Sequence, residues 1–410
     1  MQDTSRYAVG IDIGTTTVRC VVGHIDATTG TPTIVGVGEV PNTGMRKGSI
    51  VNLHGPAQAI DDALGEAERM SGYEVNSASI SINGSHILST TADGMVAVSA
   101  PDHLVGHDDI ARLEEVATVG KIPANREILE VVPHSYRLDG QDNIKDPLGM
   151  TGTRLEINAN VISALSPNVG ALHSALELAK VQPNVITPSV VAAAKAVLSE
   201  QQLENGVAVI DLGGATTSLA VFEEGDLQYA AVIPVGGNNI TNDLAIGLKT
   251  DPEVAEEVKL KHGAAVPQTG SDTVSVKHDK DTLEFQRADI DEIIEARLEE
   301  LYESITKELK KAGHHAKLPS GVVLTGGGAK LKKIVDYSKE SLGLAVRIGT
   351  AKGYGGVAEQ LDEPQFAAAA GLMLLDAEGS PNDSHTGGRA KVAAGQAGGI
   401  LKRLFSRLKT

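Results

Sequence analysis

The feature that most constrains this chain is an internal echo. Near its start, Ala8-Val9-Gly10-Ile11-Asp12-Ile13-Gly14-Thr15-Thr16-Thr17 passes from an apolar run through an Asp into small hydroxylated residues. In the second half, Val207-Ala208-Val209-Ile210-Asp211-Leu212-Gly213-Gly214-Ala215-Thr216-Thr217 repeats that order. Each apolar run reads as a buried strand. The glycines after it let the backbone approach a ligand closely, and successive N–H groups in such turns can receive phosphate oxygens. A strand that ends in a glycine turn is commonplace once. The same acidic turn twice in one chain implies two related halves that share one site. Asp12 and Asp211 suit a hydrated divalent cation, since magnesium favours oxygen ligands and keeps several of its waters.

Two further turns extend the pattern. Val322-Val323-Leu324 is a short apolar strand running into Thr325-Gly326-Gly327-Gly328-Ala329-Lys330-Leu331, whose glycines would let a helix begin against a flat ligand. Pro234-Val235-Gly236-Gly237-Asn238-Asn239-Ile240-Thr241-Asn242-Asp243-Leu244 is another strand end leading into a helix. Four such turns from two halves point to a nucleotide held in a cleft.

On these residues the chain resembles the actin/Hsp70/sugar-kinase ATPase superfamily, whose two phosphate loops and adenosine loop are similar to the turns at 12–17, 211–217 and 325–331. Within it the chain resembles the FtsA family of actin-like cell-division proteins. That likeness also rests on Met45-Arg46-Lys47-Gly48-Ser49-Ile50-Val51, on an insertion after residue 84 and on an amphipathic C-terminus. The resemblance implies an α/β, actin-like ATPase fold: two duplicated lobes around a nucleotide cleft, with an inserted 1C-type subdomain. It divides the chain into subdomain 1A (1–84, 165–205 and 357–375), 1C (85–164), 2A (206–243 and 316–356) and 2B (244–315). A linker (376–399) and an amphipathic helix (400–410) follow.

The resemblance also implies ATP with Mg2+ as the cofactor. Asp12 and Asp211 would position the metal through water. Gly14, Thr15, Thr16, Gly213, Gly214 and Thr216 would hold phosphates, with Gly236 and Gly237 beside them, and Gly326, Gly327 and Gly328 would flank adenosine. Glu256 and Lys259 match the segment that contacts ribose and adenine. An ordinary i,i+3 ion pair on a helix is the other reading of that pair.

Composition agrees with several subdomains. At 410 residues and 41% hydrophobic the chain exceeds one compact domain. Aromatic residues make up only 3% and Trp is absent, so the core must be Val, Ile, Leu and Ala, which suits parallel strands covered by helices. The one cysteine, Cys20, lies in Val18-Arg19-Cys20-Val21-Val22 and reads as a strand residue, which fits a reducing cytoplasm. No signal-peptide pattern opens the chain and no run of 18 apolar residues occurs, so the expectation is a soluble, unexported protein. A net charge of −17 makes nucleic acid an improbable partner.

Along the chain, a helix is expected near Gly55–Met70 and a strand at Ser79–Asn83. The insertion reads as strands around Val96 and Val131 with a helix near Asp108–Val119. The parent pattern resumes with a helix from Pro167 to Lys180, the run Val185–Ser189, and a helix to Glu200. Residues 244–312 read as strongly helical, with apolar side chains at 290, 293, 294, 298 and 301 in the 3.6-residue period. In the FtsA family the tail of the tubulin-like protein FtsZ docks on this subdomain, and the matching surface is Phe285 to Ser304. Arg287 and Arg297 are candidates to meet acidic groups of that peptide, or to pair internally with Asp291 or Glu300.

After Leu375 large apolar groups almost vanish until residue 400, as in a tether. Ile400, Leu401, Leu404, Phe405 and Leu408 then share one helical face, with Lys402, Arg403, Arg407 and Lys409 opposite or flanking. A basic amphipathic tip on an acidic chain points to an anionic lipid surface. Other chemistries fit less well: there is no HExxH, no Cys/His ligand spacing and no GxSxG elbow. The expected role is an ATP-binding, self-associating adaptor that tethers FtsZ to the cytoplasmic face of the membrane at the division site and recruits later division proteins. It would be a peripheral protein with at most slow hydrolysis, and no catalytic residue is identifiable. An FtsA-like pilus-assembly scaffold and a free-standing ATPase are the alternatives.

Overall fold

Two five-stranded sheets repeat one order. The first runs Pro32–Pro41, Thr17–Ile25, Arg6–Ile13, Ser77–Ile82, Gln182–Pro188, and the second runs Asp226–Ile233, Thr217–Glu223, Val207–Leu212, Val322–Thr325, Val346–Ile348. In each, the first three strands form an antiparallel meander and the last two add in parallel. The parallel character expected from composition therefore holds for half of each sheet. The turns at 14–17 and 213–216 are too short for a crossover, so the chain can only reverse there. This computed structural model describes residues 6–26, 28–270, 272–278, 281–313, 317–356 and 359–379.

Pairing register explains how the first sheet is covered. Ala8 lies opposite Gly23 and Gly10 opposite Val21, so these four share a face, and Ile11 with Cys20 belong to the other. Helix Ala367–Glu378 lies on the first face and helix His54–Ser71 on the second, where Ala63 and Ala67 meet Gly38 and Gly36. Helix Ser189–Val197 crosses Ala367–Glu378 so closely that a Cβ on Gly371 would stand 1.7 Å from the Ala192 carbonyl oxygen. Apolar burial on nearly every side of these two helices accounts for their unbroken Ala, Val and Leu runs. Cys20 is fully buried in this core, and desolvation pushes its thiol well above the usual range.

The inserted region has four strands, in the order Leu88–Ala97, Arg154–Leu165, Arg126–Leu138, Gln141–Ile144, with helix His107–Thr118 packed on them. The sequence reading found only the strands around Val96 and Val131. It missed the central one because Asn158 and Asn160 interrupt the apolar run. Across the sheet Asn158 Nδ2 donates to Asp93 Oδ1 at 2.8 Å, and Ser89 Oγ donates to Asn160 Oδ1 at 2.6 Å, so both asparagines have cross-strand partners.

Three other expectations need correction. Residues 244–312 are not uniformly helical: after helices Gly237–Gly247 and Pro252–His262 comes a hairpin, Thr273–His278 with Asp281–Gln286, before helix Arg287–Lys311. Its inward residues, Val274 and Val276 with Phe285 and Leu283 opposite them, alternate over runs too short to outweigh the surrounding helical pattern. The helix expected to reach Glu200 stops at Val197, and a second begins at Glu200 because Ser199 caps it through a reciprocal bond with Gln202. Finally, the last helix runs to Glu378, three residues into the expected tether. Asp376 holds it there, accepting from Val9 N–H, Ser79 Oγ and Asn184 Nδ2, each at 2.9 Å. The rest of the expected tether from 380 on, and the expected helix with Ile400, Leu401, Lys402, Arg403, Leu404, Phe405, Arg407 and Leu408, lie outside the described residues.

Candidate functional site

The two acidic turns close identically. Gly14 N–H donates to the Thr17 carbonyl at 3.1 Å, and Gly213 N–H to the Thr216 carbonyl at 2.9 Å. A Cβ at Gly14 would stand 2.7 Å from Thr17 O, and one at Gly213 2.8 Å from Thr216 O. Only glycine closes either turn so tightly. Asn42 braces the first turn, its Nδ2 donating to Gly14 O at 2.7 Å and its N–H to Thr16 O at 2.8 Å. The second is braced by the next segment, where Gly237 and Asn238 N–H donate to Gly213 O and Gly214 O at 2.9 and 2.7 Å.

Asp12 and Asp211 end the two central strands and face one cavity of about 990 Å³, at the upper end of small-molecule sites. Burial raises both carboxyls. Desolvation and then the neighbouring Asp12 charge push Asp211 up to about 7, while Arg19 opposes the shift. Asp12 thus disfavours ionisation of Asp211, a repulsion that a cation between them would relieve. Among the described residues no cluster of three or more His, Cys, Asp or Glu could ligate a metal. Asp12 and Asp211 could offer carboxylate oxygens to a cation whose other positions were filled by water, a donor set that would fit magnesium.

The remaining sequence-derived site residues line the same cavity: Gly14, Thr15, Thr16, Gly213, Gly214, Thr216, Gly236, Gly237, Glu256, Lys259, Gly326, Gly327 and Gly328. Gly326 is held at φ +81°, and its N–H donates to Pro364 O at 3.0 Å. After it the helix expected here begins as a single 3-10 turn, Gly327–Lys330, and a Cβ on Gly327 would meet nothing within 4 Å. Lys259 and Glu256 form the i,i+3 ion pair at 2.6 Å, and Lys259 Nζ also donates to Thr241 Oγ1 at 2.8 Å and Gly237 O at 3.2 Å. The ion pair and the cavity wall are thus the same structure.

Arg297 is among the lining residues, with Asp243 Oδ2 at 2.5 Å from Nε, Asp243 Oδ1 at 3.0 Å from Nη2 and Glu300 at 2.5 Å from Nη1. Of the internal partners weighed from sequence, Glu300 pairs with Arg297 and Asp291 does not, while Asp243 was unforeseen. Arg287 lies away from the cavity at the start of its helix, its N–H donating to Asp272 O at 2.9 Å. The sequence reading also passed over Arg19, Asn83, Ser189 and Gln365, all of which line the cavity. Arg19 stands opposite Asp12 in the strand pairing, bonds Glu39 and sits 5.4 Å from the centre of the Phe366 ring. The pairing of the first two strands across a short turn could have located Arg19. Nothing local marks the other three.

Duplicated sheets that enclose a cleft between paired acidic glycine turns define an actin-like ATPase fold. Its solved neighbours include a PilM–PilN type IV pilus biogenesis complex, at TM-score 0.65 and 19% identity over 91% of this chain and 99% of that one. MreB5 of Spiroplasma citri bound to ADP is similar at TM-score 0.55 and 14% identity, over 90% of this chain and 96% of that one.

The chain belongs to the FtsA family. The family model described as cell division protein FtsA matches residues 208–371, and that described as the SHS2 domain inserted in FtsA matches residues 84–163. Cell division protein FtsA of Pseudomonas aeruginosa is 33% identical over 375 residues, covering 90% of this chain and 89% of that protein. That of Bacillus subtilis is 36% identical over 371 residues, covering 89% and 82%.

Proposed function

We propose that this chain is a nucleotide-switched adaptor of the cell-division machinery, which binds ATP with magnesium, self-associates, and links FtsZ to the cytoplasmic face of the membrane. The observation that carries the nucleotide part is the convergence of both acidic turns, the Gly236–Gly237 segment and the Gly326–Gly328 turn on one cavity. Magnesium bound there would neutralise phosphate charge beside Asp12 and Asp211. Backbone N–H groups of the two turns would hold phosphates, and Gly327, open to the cleft, would leave room for a flat ring system. MreB5, of similar fold, is bound to ADP in one solved structure. No group in the cleft is assigned to activate water, and the role is structural first.

The membrane part rests on the sequence of residues 400–410. As a helix, residues 400–409 would extend about 15 Å, too short to span a bilayer, with basic groups flanking an apolar face. Among the described residues no helix is long and apolar enough to cross a membrane. One tail binds weakly and reversibly, and several tails held in a polymer bind far more tightly through effective concentration. The FtsZ tail would dock on the helix Arg287–Lys311 and its hairpin, with Arg287 and Arg297 the two arginine candidates to meet its acidic groups. Later division proteins would be recruited by the assembled polymer.

Two measurements test this reading. A ligand at a hundredfold excess over its dissociation constant stabilises a fold by about 2.7 kcal/mol, so saturating ATP with magnesium raises the melting temperature, and an unmoved melting curve would refute the cleft assignment. Deleting residues 399–410, or Phe405→Glu, abolishes sedimentation with anionic vesicles and leaves ATP binding intact. Vesicle binding that survives both changes would place the membrane contact elsewhere.

A further inference from the structure

Asn83 stands where the first lobe passes into the inserted domain. It follows strand Ser77–Ile82, and Gly84 after it, at φ +126°, is the first residue matched by the inserted-domain family. Its side chain reaches across to the other lobe. Nδ2 donates to Thr216 Oγ1 at 3.2 Å, while Oδ1 accepts from Ser218 Oγ at 3.1 Å and from Gly84 N–H at 2.8 Å. One carboxamide therefore ties the root of the insertion to the second phosphate turn. Because the Thr216 hydroxyl accepts from Asn83, its own hydrogen is left for another acceptor, and Thr216 lines the cleft.

The first phosphate turn holds the same root from the other side. Thr15 Oγ1 accepts from Gly48 N–H at 3.1 Å, and Gly48 packs so closely on Gly84 that a Cβ on Gly48 would stand 2.6 Å from the Gly84 Cα. Arg126 then locks the entry and exit strands of the insertion together. It donates through Nη2 to His86 O at 2.5 Å and Ser163 O at 2.9 Å, and through Nε to Ser163 Oγ at 2.9 Å. On its far side the insertion leans on the second lobe, where His134 Nε2 lies 3.0 Å from Leu227 O and Lys145 pairs with Asp226 at 2.9 Å. The domain is thus joined to one lobe by its chain and to the other by contacts, so a change in lobe spacing falls on the joint at Gly84.

We propose that Asn83 is a positioning residue through which phosphate at the second turn sets the attachment of the inserted domain, an inference that rests on the nucleotide reading of the cleft. A phosphate oxygen that accepts the Thr216 hydroxyl hydrogen polarises that hydroxyl and strengthens its bond from Asn83. When the phosphate leaves, the bond weakens and the root loosens.

The test is amide hydrogen exchange on the full chain, without nucleotide and with saturating ATP-magnesium or ADP-magnesium, with binding of a fluorescent ATP analogue followed in the same preparations. In the unaltered chain, ATP-magnesium slows exchange at the root, residues 84–90 and 160–166. Asn83→Asp keeps the acceptor for Gly84 and Ser218 but cannot donate to Thr216, and at saturating nucleotide it loses the ATP-dependent difference. Ser218→Ala, outside the cavity wall, removes the other arm and reduces the difference. The proposal is overturned if the unaltered chain binds the analogue with no change at the root, or if the difference persists undiminished in Asn83→Asp, or in Ser218→Ala should the former not fold. If the unaltered chain binds no analogue, the cleft reading itself fails and takes the proposal with it.

Discussion

Replacing Asp211 with Asn should stabilise the protein without ligand and deprive it of stabilisation by ligand. Burial and the Asp12 charge raise the Asp211 carboxyl from 3.8 to about 7. A carboxyl raised on folding binds more protons in the folded state between those values. The stability linked to it therefore falls as pH rises from about 4 to about 7 and is flat above. Since each tenfold change in proton affinity is worth about 1.4 kcal/mol, the ionised form is penalised by a few kcal/mol at pH 8. An isosteric amide carries no such penalty, so Asp211→Asn without ligand should melt several degrees higher at pH 8 and show a shallower decline between pH 5 and 8. With ATP-magnesium the order should reverse, because the variant lacks one of the two carboxylates proposed to face the cation. Thermal melts at pH 5, 6, 7 and 8, with and without ATP-magnesium, read both effects. A ligand-free variant that melts at or below the unaltered protein at pH 8 would show that the buried charge is not a liability, and the argument for a cation between the two Asp residues would fall with it.

Gly326→Ala forces a side chain onto a backbone at φ +81° and sets its Cβ 2.2 Å from Asp211 Oδ1 and 2.6 Å from Leu212 O; strain of about 1–3 kcal/mol should lower the melting temperature and weaken nucleotide binding in a fluorescence titration, and unchanged affinity would remove this turn from the site. Lys259→Met deletes the bonds to Glu256, Thr241 and Gly237 O in the cavity wall and should weaken nucleotide binding about tenfold, equivalent to about 1.4 kcal/mol, with full affinity assigning the pair a purely helical role. Gly371→Val drives a branched side chain into the Ala192 carbonyl at the helix crossing, and soluble protein with an unaltered melt would contradict that packing.

Sequence alone determined what backbone chemistry writes into local order. The turns at Gly14 and Gly213 demand glycine because a Cβ would strike the carbonyl that closes them, and the apolar runs before Asp12 and Asp211 can only be buried strands. Their repetition was enough to imply two like lobes and a shared cleft. What depends on distant chain segments was decided by tertiary structure. The strand Arg154–Leu165 could be recognised only once Ser89 and Asp93 gave its asparagines cross-strand partners, and the hairpin at 273–286 only once its inward Val274, Val276, Leu283 and Phe285 had a core to enter. Arg297 took Asp243 as its partner, from a helix more than fifty positions away. Asn83 shows the limit most plainly: in sequence it is one polar residue before a glycine, and it becomes a link between lobes because folding sets it within hydrogen-bond reach of Thr216. Hydrogen bonds and ion pairs act over a few ångströms, and in one dimension the chain carries no record of which of its distant residues will come that close.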